Sequence, residues 1–329
     1  MRQIAFGPGP DADTMRLVEA PVPVPGAGEV LIEVDHAGVN RPDVMQRSGK
    51  YPPPSGASPV LGLEVSGRVA ALGPGVAGWG VGQAVCALTP GGGYAEFCVA
   101  PAGQLLPAPM GLPLATAAGL PETWFTVWAN VVNLGRLAAG ERLLVHGGSS
   151  GIGLAALELA RLRGAQCLVT VGDADKARFC VEFGAQAAVN YRTEDFVARV
   201  RELTGGEGVD VVLDMVAGDY VPRNLELLRR DGRLVLIALQ RGARAEIDLG
   251  LVLRNRLHIT GSTMRPRTVA EKTAIRDALL AEVWPAIAAG RVRTHVHATL
   301  PLAQAAAAHR LMESGRHIGK ILLKVAAAG

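Results

Sequence analysis

The chain of 329 residues has only four cysteines, Cys86, Cys98, Cys167 and Cys180, and no C-x-x-C pair among them. That excludes a disulfide scaffold; Cys167 and Cys180 fall in apolar segments, where thiols stay reduced and inert. Aromatic residues make up 4% and the net charge is +3 with no run of lysine or arginine, so nucleic acid is not an expected partner. No stretch of about eighteen apolar residues escapes a charge or a glycine, and no membrane span is predicted. The opening MRQIAFGPGPDAD lacks the basic-then-apolar order of a secretory signal, which makes a cytoplasmic protein the expectation.

What is plentiful is glycine, 41 residues, within a chain that is 49% hydrophobic and long enough for two domains. The segment Arg142 to Arg163, RLLVHGGSSGIGLAALELARLR, concentrates that glycine. Arg142 to His146 reads as a buried strand, and Leu154, Leu157, Leu159 and Leu162 recur at helical spacing. Between them lies a turn of small residues. Gly148, Ser150, Gly151, Ile152 and Gly153 are the candidate pyrophosphate contacts: glycines let backbone N–H groups approach the anion, and the new helix points its unpaired donors at it. A strict G-x-G-x-x-G needs glycine where Ser150 stands, so the turn gains its weight from context. About twenty residues on, a second strand, Cys167 to Val171, ends in Gly172, Asp173 and Lys176, where a dinucleotide fold holds the adenosine ribose.

Before Pro121 the pattern is short strands broken by Gly and Pro: Met15 to Glu19, Glu29 to Ala37, Val65 to Leu72, Gln83 to Leu88 and Ala95 to Ala100. A compact, partly closed β-barrel is predicted. From a helix over Thr123 to Leu134 onward, strands and helices alternate, with strands at Arg142–His146, Cys167–Val171, Ala187–Tyr191, Val209–Met215, Arg233–Leu239 and Leu257–Thr263. Six such strands predict a parallel, doubly wound sheet. A long helix over Val269 to Ala289, another around Leu302 to Ser314 and a strand at Lys320 to Val325 follow, so residues 1–121 and 264–329 are expected to form one domain and 122–263 the other, with the substrate in the cleft between them. The strand from Leu257 closes the sheet edge, and pairing that edge in a homodimer is the expected assembly.

GVNRPDVMQRSGKYPPPSGAS (Gly38 to Ser58), LGLEVSGRV (Leu61 to Val69), LTPGGGYAEF (Leu88 to Phe97), NYRTEDF (Asn190 to Phe196), TGSTMRPR (Thr260 to Arg267) and HIGKILL (His317 to Leu323), with the glycine turn, carry a resemblance over the whole chain. It resembles the zinc-free quinone oxidoreductase, or zeta-crystallin, branch of the medium-chain dehydrogenases/reductases, and within it the subgroup of the tumour-suppressor-inducible quinone reductase. The resemblance implies an α/β protein in which a GroES-like β-barrel catalytic domain joins a Rossmann doubly wound parallel six-stranded sheet. Where zinc relatives carry a Cys, a His and a later Cys, this chain has Asn40, Leu63 and Glu122, and the four-cysteine structural lobe is missing, so no zinc and no other metal is expected.

The same resemblance implies an NAD(P)H-dependent enzyme delivering hydride to quinones or similar activated carbonyls. The alternatives are an enone or enoyl reductase, and a crystallin-like protein that holds nucleotide without turnover. Asn40, Asp43 and Tyr51 are its candidate catalytic residues, matching the family's G-x-N-x-x-D segment and the Tyr after it; Asn40 and Asp43 would equally hold a turn. Thr126, Ser262, Thr263, Met264 and Lys320 are implied near the nicotinamide, while Val216 and Leu239, ending the fourth and fifth strands, flank the cofactor by topology. Lys176 and Tyr191 match positions that favour NADPH. Asp173 does not, because a carboxylate repels a 2′-phosphate and accepts from free ribose hydroxyls; NADPH is favoured and NADH remains open, unless Asp173 is simply a helix cap.

Overall fold

The computed structural model describes every residue except Pro8, Pro10 and 326–329. It divides into two compact units, one of Met1–Phe125 with Arg265–Gly329, the other of Thr126–Met264.

The first unit begins with a two-stranded pair, β1 (Arg2–Ala5) and β2 (Arg16–Glu19). Its main sheet is built on β3 (Glu29–Val39), which pairs along one edge with β4 (Glu64–Leu72); β5 (Ala84–Leu88) and β7 (Leu105–Pro107) follow outward. The other edge of β3 is shared, with β6 (Phe97–Pro101) on its first half. Between β3 and β4 lies α1 (Arg41–Arg47), a short helix where the sequence reading left only a turn. Two further helices, α2 (Leu114–Ala117) and α3 (Pro121–Val127), end this part of the chain.

In the second unit the predicted helix from Thr123 is corrected at its far end. Trp128–Leu134 winds as a π-helix, with Gly135 N–H donating to Asn130 O five residues back, a rare winding that is frequent at functional sites. The six strands β8 (Arg142–His146), β9 (Gln166–Val171), β10 (Ala187–Asn190), β11 (Val209–Asp214), β12 (Leu228–Leu236) and β13 (His258–Gly261) form one parallel sheet ordered β10-β9-β8-β11-β12-β13. Helices α4 (Gly151–Leu162), α5 (Ala174–Glu182), α6 (Phe196–Leu203), α7 (Tyr220–Leu227) and α8 (Leu249–Asn255) connect them, the doubly wound arrangement expected from the alternation. Leu144, Leu168, Val189, Val212 and Leu234, from five of the six strands, pack in its core. Each contributes about 2 kcal/mol by burial.

The fifth strand needs correction: it ends at Leu236, and Leu239 is 54% exposed in a loop. Ile237 N–H makes the last strand-like bond to Asp214 O, after which Arg241 N–H bonds Val216 O and pulls the chain off the sheet.

The chain returns to the first unit through α9 (Val269–Glu282), α10 (Trp284–Ala288), β14 (Val296–Pro301), α11 (Ala305–Ser314) and β15 (Lys320–Lys324). One helix was predicted over Val269 to Ala289. Pro285, with no N–H to give and a ring that blocks the preceding turn, divides it in two. β15 pairs antiparallel with the last part of β3 and parallel with β14, completing the seven-stranded sheet.

Candidate active site

In the first unit the polar side chains converge where β3 runs into α1. Asn40 is the N-cap of α1, and its backbone N–H donates to Asp43 Oδ2 at 2.8 Å, the carboxylate half of a capping box. Asp43 Oδ1 accepts from Gly62 N–H at 3.0 Å. The cap therefore leaves the Asn40 amide for another partner. Its Nδ2 donates to Glu64 Oε1 at 2.9 Å, and its Oδ1 accepts from Lys320 Nζ at 2.6 Å. The same ammonium lies 2.6 Å from Glu64 Oε1, an ion pair, and donates to Val39 O. Glu64 Oε2 accepts the N–H of Glu122. Gly38 makes room for this carboxylate: a Cβ there would stand 2.1 Å from Glu64 Oε1.

A second chain of bonds reaches Asp43 from α11. Arg47 Nη1 lies 3.1 Å from His309 Nδ1 and can only donate, so that nitrogen accepts and Nε2 carries the ring proton. Nε2–H points at Tyr94 Oη, 3.2 Å away, and the tyrosine hydroxyl donates to Asp43 Oδ2 at 3.4 Å. Burial, with Arg47 beside it, brings His309 down to about 3 and keeps it neutral. Burial pushes Asp43 up to about 7 against the pull of the Asn40 and Gly62 N–H groups. It also pushes Glu122 up to about 7, helped by Glu64. Three carboxyl groups thus share one ammonium. Tyr51 lies at the half-buried margin, raised by burial and then by Glu122, with the Arg265 guanidinium 5.7 Å from its ring centroid.

Asn40, Asp43 and Lys320, predicted from different parts of the chain, are brought together; Glu64, Tyr94 and His309 were missed. Their signal was a carboxylate inside the apolar run LGLEVSGRV and a histidine inside the apolar face of AAAAHRLM.

In the second unit the glycine turn joins β8 to α4. A Cβ on Gly148 would lie 2.3 Å from Val169 Cβ, and one on Gly153 would lie 2.2 Å from Gly148 O, so neither position accepts a side chain. Ser150 is the N-cap, its hydroxyl accepting from Gly153 N–H at 3.1 Å. The first-turn N–H groups of Gly151 and Ile152 are orphaned by their place in the helix and available to an anion. Thr126 Oγ1 is buried with no hydrogen-bond partner, as a hydroxyl kept for a ligand would be.

At the end of β9, Asp173 caps α5: its Oδ1 accepts from Lys176 N–H at 2.8 Å and its other oxygen lies 4.0 Å from Lys176 Nζ. A Cβ on Gly172 would meet the Tyr191 hydroxyl at 2.9 Å and Arg192 Nε at 3.6 Å, so that glycine marks a cradle walled by Tyr191 and a guanidinium. Val216 follows β11 and donates its N–H to Asp214 Oδ1; Ser262 follows β13 and donates to Asn130 Oδ1 in the π-helix. Thr263 is exposed and Met264 buried. These residues fit a dinucleotide.

Residues 26–110 match the alcohol dehydrogenase GroES-like domain family, and residues 183–323 match the zinc-binding dehydrogenase family. The Escherichia coli quinone oxidoreductase, solved in complex with NADPH, is similar over 99% of this chain and 100% of its own, with 30% identity and a TM-score of 0.87. The chain belongs to the medium-chain dehydrogenase/reductase superfamily. It is an oxidoreductase of that superfamily. The enoyl reductase CurK is similar over 98% of both chains at 27% identity, TM-score 0.86. A mycocerosic acid synthase-like polyketide synthase of Mycolicibacterium smegmatis is 33% identical over 330 residues, and this chain spans only 16% of that protein's length.

Zinc is implied by one of the matched medium-chain dehydrogenase/reductase families, but the donors do not suit it. Leu63 is buried and apolar, the Asn40 amide is engaged by Glu64 and Lys320, and Glu122 offers one carboxylate. Among the described residues no group of three His, Cys, Asp or Glu is placed to hold a metal. The cation held against these side chains is the Lys320 ammonium.

Proposed function

We propose that the protein is a zinc-independent, NADPH-dependent reductase of quinones or similar activated carbonyls. The observation that carries this reading is the engagement of Lys320. The buried ammonium is committed to Asn40 Oδ1, Val39 O and its ion pair with Glu64 rather than to a substrate oxygen. The acceptor must then be electron-poor already, as a quinone or conjugated carbonyl is. Bound reduced nicotinamide supplies the hydride. Asn40, Asp43 and Tyr51 are the proposed catalytic set: Asp43 orients Asn40 through the N-cap bond, and Tyr51 closes the margin. The Glu122 carboxyl, pushed up to about 7, holds a proton near neutrality beside Tyr51.

NADPH is the proposed cofactor because the Asp173 carboxylate is occupied in capping α5 and faces Lys176, while Tyr191 and Arg192 wall Gly172. Lys176→Ala is expected to raise KM for NADPH about tenfold and to leave KM for NADH within about twofold. The test of the whole reading is initial rates with NADPH and NADH against an ortho-quinone and a simple enone, with and without chelator. Turnover that chelation abolishes sinks the zinc-independent reading; NADH preference returns Asp173 to the ribose; tight nucleotide binding without turnover makes this a binding protein. A second reading, an enoyl or enone reductase, is favoured by the likeness to CurK, and faster turnover of the enone would select it.

A cytoplasmic homodimer is proposed along β13, one of the two edges of the parallel sheet. Beside it Leu249 and Leu253 on α8 are 71% and 80% exposed, and no residue of that helix is buried. Leu253→Glu is expected to convert a dimer to a monomer in sedimentation; an unchanged dimer would move the interface elsewhere.

A further inference from the structure

Four polar side chains form a continuous chain beneath the glycine turn. His146, Asn224 and Asp214 are fully buried and Thr170 nearly so. Asp214 Oδ1 accepts the N–H groups of Val216 at 2.6 Å and Ala217 at 3.1 Å, and its Oδ2 accepts from Asn224 Nδ2 at 3.0 Å. The Asn224 carbonyl oxygen is therefore turned to His146 Nε2, 2.8 Å away, and must accept from it. That places the ring proton on Nε2 and leaves Nδ1 to accept from the Thr170 hydroxyl at 2.9 Å. Thr170 C=O in turn accepts from both Gly147 and Gly148 N–H, at 3.1 and 3.0 Å. Every direction in the chain follows from the link before it.

Its two ends are the turn that leads into α4 and the loop after β11, where Ala217 takes φ +58 despite its Cβ. A left-handed alanine persists only where its surroundings hold it, and the Asp214 carboxylate does so. Phe196 and Tyr220 stand edge-on to the His146 ring, with centroids 5.1 and 4.9 Å away, and complete its burial. A merely apolar core would fill this space at lower desolvation cost.

We propose that His146, Thr170, Asn224 and Asp214 act as one positioning unit that sets the glycine turn and the Val216–Ala217 loop together for dinucleotide binding. None of the four touches the ligand. The proposal rests on the reading that the second unit binds NADPH, and it adds that the two loops are fixed jointly, by a neutral histidine of one tautomer.

The test uses the full chain and NADPH itself, with dissociation constants measured by nucleotide fluorescence well below each variant's melting temperature. Thr170→Val keeps the shape and removes the donor to Nδ1; it is expected to weaken NADPH about tenfold, and Thr170→Ser to restore most of that affinity. His146→Phe keeps an aromatic ring and is expected to weaken binding at least as much. Combined with Asp214→Asn it should cost little more than either alone. Nitrogen NMR of the wild type should show the neutral Nε2–H tautomer. Variants that melt earlier but bind NADPH as the wild type does would reduce the chain to a core feature and overturn the proposal, as would the Nδ1–H tautomer. Failure of the wild type to bind either nucleotide would overturn the underlying reading instead, and the proposal with it.

Discussion

Replacing Lys320 by methionine is expected to destabilise the first unit by about 3–5 kcal/mol and to abolish turnover. Glu64 is fully buried, and in the variant its carboxylate keeps only the Asn40 amide and the Glu122 N–H as partners. Asn40 Oδ1 loses its donor at the same time, so the amide that is proposed to meet substrate or cofactor is free to turn. For a unit of this size the melting temperature should fall by about 10 °C. The signature of a broken ion pair is that removing the second charge relieves it. Lys320→Met with Glu64→Gln should therefore recover most of the stability while remaining inactive. A single variant that melts with the wild type would show that this pair does not hold the unit.

That pair also shows where sequence reading stops. The strand, glycine turn and helix from Arg142 to Leu162 are legible because apolar periodicity and glycine punctuation are local, and β8 occupies the predicted residues. Alternation of strands and helices carries the six-stranded sheet for the same reason. The helix α1 was not legible as one: it is short, carries Pro42 in its first turn and lies under Asn40, whose pattern equally fits a turn. Charge pairing is not local at all. Asn40 and Lys320 are 280 residues apart and Tyr94 and His309 are 215 apart, so neither spacing nor composition announces that they touch. Arg265, in the segment TGSTMRPR, is buried and donates to Gln46 Oε1 and to Pro90 O, contacts that its sequence neighbours do not announce. A buried carboxylate such as Glu64 leaves only one trace in the sequence, a charge where an apolar strand residue belongs.

The stability of the first unit should depend on pH through two opposed sets of groups, and single variants should separate them. Asp43 and Glu122, ordinarily near 4, are each pushed up to about 7 by burial. Below about pH 4 they are protonated whether the chain is folded or not, and their contribution to stability is fully present. Between about 4 and about 7 the unfolded chain releases protons that the folded chain keeps, so stability falls as pH rises; above about 7 it falls no further. His309 works the other way. Its folded value, about 3, lies below the ordinary 6.5, so its contribution is present above about 6.5 and is lost as pH falls. The wild type should therefore show a shallow net slope over the window in which both act. Glu122→Gln removes one falling term. Relative to the wild type it should gain about 2–3 kcal/mol between about pH 4 and about pH 8, with the gap widening as pH rises. His309→Gln removes the rising term and should steepen the fall. Melting temperatures of the three proteins across that range decide the matter, and a Glu122→Gln difference that stays constant would mean that the Glu122 carboxyl releases its proton at the same pH in the folded and unfolded chain. The same proton has a kinetic consequence. If Glu122 supplies it to a conjugated carbonyl, the enone rate should decline above about pH 7 in the wild type and lose that decline in Glu122→Gln, whereas quinone reduction, whose product oxygens are weaker bases, should change less.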